Sequence, residues 1–295
     1  MKHRFKAEAT SAAVGLSAFG GLLNFFSGNL TRKTLLFVVV PLIFLSYFGT
    51  LVFAISRFPE AYDWRDSVIS HLISPRNNPE FHSVPSFGMA ITGLLMIPFA
   101  GYINRRLRVA SQLGANIGTF AFGSGVIWLI FAGLIVSERH HGTSSLPRLH
   151  EMCARTAALS IGTGLLAFCA CALKGYFTHA IGKKLYQRRL LISWILITLV
   201  PILGVVLSEC LLLTMRAQLP WSYQIDLVLK NALFWHLAFW EWIGSAAVFL
   251  FLLSSALFLP EQTSGCVGCV ATFVVEPKDG VDDRKFSSAQ RTDRE

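Results

Sequence analysis

The chain has 295 residues, of which 53% are hydrophobic and only 15% charged, with a mean hydropathy of +0.53. A soluble domain carries nearer a quarter charged residues, so an ordinary soluble protein is excluded. The net charge of +9 does not point to nucleic acid. The basic residues are scattered between apolar runs, where they set topology and meet anionic headgroups.

Residues 1–33 open with Lys2, Arg4 and Lys6 and continue into a small-residue stretch from Ala12 to Phe26. A basic start before a short apolar middle is the layout of a signal peptide. Ser, Gly and Asn24 dilute that middle, however, and no A-x-A cleavage site follows. The segment reads as a retained interfacial helix, with a signal peptide and a mitochondrial presequence as the alternatives.

Six mostly apolar runs then follow, at 34–55, 86–103, 113–136, 149–173, 191–213 and 232–259. Each is close to what a helix rising 1.5 Å per residue needs to cross a hydrocarbon core of roughly 30 Å. The expected fold is therefore all-α, a six-span transmembrane bundle over 34–259 followed by a disordered tail over 260–295. Pro41, Pro98 and Pro201 lie inside spans, which membrane helices tolerate. Gly114-x-x-x-Gly118, with Gly123 and Gly125 after it, is a device for close helix packing.

Orientation follows from the connections. Lys2, Arg4, Lys6, Arg32 and Lys33 precede the first span. Arg105, Arg106 and Arg108 fill the second connection, and Lys174, Lys183, Lys184, Arg188 and Arg189 the fourth. The positive-inside rule places all three, and both termini, in the cytoplasm. The sequon Asn29-Leu30-Thr31 would then face the unglycosylated side. Of the six cysteines, Cys153, Cys169, Cys171 and Cys210 lie in spans as small hydrophobes. Cys266-x-x-Cys269 is half a zinc site or an acylation site, or has only a structural role.

The unusual polar residues gather in what this orientation makes the outer half. In the first outer loop Trp64, Val68 and Leu72 recur at i, i+4, i+8. Asp66, Ser67 and Ser70 lie opposite, with His71 at the edge, as in a short amphipathic helix on the membrane surface. The fourth span opens with His150, Glu151 and Arg155; the last two pair at i, i+4, with Arg155 about 9 Å inside. Glu209 lies near the outer end of the fifth span, and the sixth holds His236 and Glu241. Ionisable groups in hydrocarbon cost about 2.5–3.5 kcal/mol on insertion scales and usually face protein or water. These ten residues are the candidate ligand-binding set of a polar pocket roofed by the loop helix. The competing reading is an ion-pair network, Glu151–Arg155–Glu209, that fixes helix packing only.

Such a set could hold a metal-activated water. Ser67-x-x-x-His71 resembles the Ser-x3-His element of the seven-span ceramidase and adiponectin-receptor zinc hydrolases, but Trp240 stands where their last span repeats a His. No metal or other cofactor is therefore expected, with zinc kept for the hydrolase alternative. More of the chain resembles the FRAG/DRAM/Sfk superfamily of six-span proteins, which includes autophagy modulators and lipid-remodelling factors. Ile69-Ser70, then Pro79-Glu80 and Phe87, looks like its first outer loop. His150 with Ala157 and Ala158 looks like its entry to span four, and Glu241-Trp242 after His236 like its last span. The chain departs from the superfamily at His71-Leu72-Ile73, where Ile69-Ser70-His71-Leu72 instead resembles a related prokaryotic Ile-Ser-x-Leu group. The resemblance implies lipid-related membrane work: binding, moving or organising a lipid, or supporting a membrane-protein partner that does so. A small-molecule or ion transporter is the other class, though it would want a polar path through both halves.

Overall fold

The computed structural model describes residues 20–21, 23–65, 67–135, 146–178, 188–217 and 236–259. Six long helices cross it: α1 (Arg32–Ser56), α3 (Ser83–Leu107), α4 (Gln112–Leu134), α5 (Leu146–Thr178), α6 (Arg188–Arg216) and α7 (Leu237–Phe258), with a short α2 (Ile69–Ile73) between the first two. No strand occurs among the described residues. All six long helices are apolar and long enough to span a membrane, consistent with an integral multi-pass protein. They match the six apolar runs, and α1, α3, α5 and α6 extend beyond them at both ends. The sixth run is corrected at its start. His236 is extended (φ −81, ψ 127), and the helix begins at Leu237. Residues 232–235, the tail with Cys266 and Cys269, and the N-terminal residues 1–19 lie outside the described set.

Each long helix packs on its chain neighbour, and α7 returns to α1, so the six close into a ring. Antiparallel neighbours follow from short connections. The α3–α4 turn, for example, leaves Asn104 to donate to Asn116 and Thr119 across the pair, at 3.2 and 2.7 Å. At the ring's closure the Tyr47 and Ser245 hydroxyls are 2.8 Å apart, and the Arg32 guanidinium donates to the Leu259 carbonyl.

Small residues decide which faces meet. A Cβ on Gly125 would stand 2.6 Å from the backbone nitrogen of Ile161, and one on Gly164 would stand 2.7 Å from that of Phe122. The two glycines thus let α4 and α5 touch backbone to backbone. Gly114 and Gly118 meet α5 side chains as the spacing predicts, but Gly123 faces open space. Two residues along a helix turn roughly 200°, so Gly123 and Gly125 cannot share a face.

Helix α1 accommodates Pro41 by widening. Two π-helical turns, Leu35–Val39 and Leu45–Gly49, interrupt it. A loosened turn relieves the ring clash and the missing N–H of proline. At the second, the Thr50 hydroxyl donates to the Ser46 carbonyl (2.6 Å) and that of Ser46 to the Ile43 carbonyl (3.2 Å).

At the opposite end from α2, the segment before α1 docks on α3. Gly28 adopts a left-handed φ of 70° and packs on Gly101, while Arg105 donates to the Ser27 carbonyl at 2.7 Å. The sequon lies in this docked segment.

The expected surface helix over the first loop is corrected too. Only Ile69–Ile73 is helical, because Val68 is extended (φ −68, ψ 153). The preceding turn is held by Asp63, whose carboxylate accepts from the Arg65 N–H (3.0 Å) and whose carbonyl accepts from the Ser67 N–H (2.8 Å). Such turn chemistry competes with helix. Nor does α2 lie on a surface. Ile69, Leu72 and Ile73 are buried in a cluster with Leu51, Ala54, Met89, Ala132 and Cys153, so α2 plugs one mouth of the ring. Asn78, fully buried, fixes the plug from behind by donating to the Leu72 carbonyl at 3.1 Å.

Candidate functional site

The plug is tied to the ring by the last span. One turn into α7, the Glu241 carboxylate accepts the Ile69 N–H at 2.9 Å. Val68, just before, is extended, so this N–H opens a short helix and has no carbonyl of its own to meet. Tyr62 makes the second tie, its hydroxyl donating to the carbonyls of Ser67 (2.7 Å) and Val68 (3.2 Å). Its ring packs edge-on to Trp242, with centroids 6.5 Å apart. Burial pushes the Tyr62 phenol up to about 12, the Trp242 indole opposing the shift and the Glu241 charge adding to it. The hydroxyl therefore stays protonated and donating.

Beside this lies an ion-pair network. Arg155 on α5 meets Glu151 on its own helix at 2.8 Å and Glu209 on α6 at 3.6 Å. The side chains of Arg155 and Glu151 remain 46% and 54% exposed, and that of Glu209 is 25% exposed. Glu209 and Glu241 are near enough for their charges to interact, so the network and the plug tie adjoin.

The ten expected residues therefore divide. Glu151, Arg155 and Glu209 meet in one ion-pair network, and Glu241, which ties the plug, lies within electrostatic range of Glu209. Ser67 contributes through its backbone, and Ser70 and His71 lie on the plug, both part-buried. Burial lowers the pKa of His71 from the ordinary 6.5. His150 turns to α4, where its Nδ1–H donates to the Ala132 carbonyl at 3.0 Å. His236, expected inside the sixth span, stands at the head of α7, outside the helix. Asp66 lies outside the described residues. Among the described residues no three of His, Cys, Asp and Glu gather as a metal set.

Sequence reasoning missed Tyr47, Tyr62 and Ser245 and gave Trp242 no role beyond a resemblance. The available signal was their polar tips on apolar bodies, which seek partners when buried. Trp242 has not found one: its Nε1 is buried without a hydrogen-bond partner among the described residues. Its nearest approach is to the Tyr62 phenol oxygen, whose pKa the indole N–H lowers as a hydrogen-bond donor does.

What these features define is a class: a helical bundle suited to the membrane, with a plugged, polar-lined mouth. No family model, no curated protein and no solved structure matches this chain.

Proposed function

We propose that this six-span protein, with both termini in the cytoplasm, binds, moves or organises a membrane lipid through the outer-half cluster of Glu151, Arg155, Glu209 and Glu241. The observation that supports this reading is Arg155. It lies about 9 Å beyond Leu149 along the span, at 1.5 Å per residue, and yet keeps nearly half its side chain exposed while paired across helices. A network serving packing alone gains most when sealed between helices; an accessible guanidinium at this depth is placed to meet a lipid phosphate. The resemblance to the FRAG/DRAM/Sfk superfamily, on Ile69-Ser70 and Glu241-Trp242, points the same way.

Native mass spectrometry of the full chain, purified in mild detergent, tests this. The wild type should carry phospholipid at about one per chain, and Arg155→Gln should lose it at least tenfold without loss of expression. A wild type free of lipid, or an Arg155→Gln variant with undiminished lipid and lower yield, would leave packing as the whole role of the network.

A further inference from the structure

The cross-helix pair of Arg155 and Glu209, 3.6 Å apart, stands at one end of a seam between α5 and α6. Seven residues further along the seam on each helix, a Cβ on Gly162 would stand 3.5 Å from the Ile202 side chain. Deeper still, Cys169 Sγ lies 3.6 Å from the Thr198 hydroxyl. Seven residues are close to two full turns, so Arg155 and Gly162 share a face, as do Glu209 and Ile202. The seam therefore runs straight down from the guanidinium. Only Ile202, among the described residues beyond Gly162's own helix, comes within 4 Å of where a side chain would begin. The surface is notched there, about 10 Å below Arg155 at 1.5 Å per residue.

The walls of the notch are apolar and open outward. On α5, Leu159 and Leu166 lie one turn to either side of Gly162, 70% and 37% exposed; on α6, Val206 and Leu199 flank Ile202, 46% and 38% exposed. Exposed apolar side chains on a span are ordinary and by themselves mark nothing. What sets this strip apart is its upper end, where Arg155 offers an accessible guanidinium to a phosphate. A phospholipid held by its phosphate sends its chains along the surface below. We propose that the α5–α6 seam is a lipid groove, in which one acyl chain of the phospholipid held at Arg155 lies over Gly162, between Leu159 and Leu166 on one side and Val206 and Leu199 on the other. This rests on the lipid reading above and extends it from the headgroup to the chain. The missing side chain at Gly162 lets the acyl chain sink between the helices and gain dispersion contacts with both. The ligand class is thus a chain-bearing phospholipid seated on the flank of the bundle.

A phosphatidic acid with a photoreactive diazirine midway along one acyl chain reads the groove directly. Full-length protein is reconstituted in phosphatidylcholine nanodiscs containing a trace of this lipid and illuminated, and labelled peptides are mapped by mass spectrometry. In the wild type, label on residues 159–166 and 199–206 should exceed label around Ile127, on the exposed flank of α4, by at least fivefold. Gly162→Phe fills the notch from the lipid side. It should cut the groove label at least fivefold while the melting temperature stays within about a degree of wild type. Wild-type label spread evenly over the lipid-facing spans overturns the groove, whatever the variant does. The headgroup reading survives that result if phospholipid still co-purifies and Arg155→Gln loses it; without such lipid, both fall. Undiminished groove label in a folded Gly162→Phe variant also sinks the proposal.

Discussion

Burial alone holds the imidazole of His71 below its ordinary pKa of 6.5, and the sign of that shift sets a pH dependence. The unfolded chain takes up its proton near pH 6.5, the folded chain only at lower pH. The stabilisation is therefore present above pH 6.5 and is lost as pH falls toward the folded value. The melting temperature of the purified protein should drop between pH 7.5 and 5.5, and His71→Gln should flatten part of that drop. An unchanged slope in His71→Gln would show that the plug's edge does not titrate in this range. Glu241 was legible in the sequence because a carboxylate in an apolar run demands a partner. Its partner was not legible: the Ile69 backbone N–H leaves no side-chain signature. The Trp242 N–H is invisible in the same way, since an indole in an apolar span looks like packing until its neighbours are known.

Elements were easier to read than residues, for a physical reason. Eighteen or more apolar residues have few alternatives to spanning, whereas the Trp64–Val68–Leu72 periodicity was a weaker constraint. Turn chemistry at Asp63 and the extended Val68 overrode it. Widening of α1 around Pro41 has no sequence signature beyond the proline itself. The glycines of α4 lie between these cases: small-residue spacing announces a contact but not which glycines make it. That distinction can be tested directly. Gly125→Ala places a methyl 2.6 Å from the Ile161 backbone nitrogen, where no side chain can yield, and should cost about 1–3 kcal/mol with lower yield. Gly123→Ala enters open space and should be neutral or slightly stabilising, as alanine is in a helix. Thermal unfolding in detergent compares the two. Equal losses would mean that α4 and α5 do not meet as described.

For the whole molecule, span order follows from the chain, but closure of α7 onto α1 does not. No local pattern says that the Arg32 and Leu259 ends will meet. Orientation is the other global property, and here the charge of the connections makes a definite expectation. Val109, exposed in the α3–α4 turn, and Glu60, exposed in the α1–α2 loop, should lie on opposite sides. In a background without native cysteines, Val109→Cys should react with an impermeant maleimide only after permeabilisation, and Glu60→Cys in intact cells or sealed lumen-out vesicles. The reverse result would turn the plugged mouth toward the cytosol and overturn the proposed leaflet for the lipid.

Closure of the ring also bears on how the protein is made. Of the six spans, α1 keeps its α7-facing flank bare until α7 has been made, since the Arg32 guanidinium donates to the Leu259 carbonyl. A nascent chain stalled after five insertions would therefore leave the Tyr47 hydroxyl facing acyl chains, without Ser245 to meet it. Biogenesis should accordingly depend on something shielding α1 at the translocon until translation has passed α7.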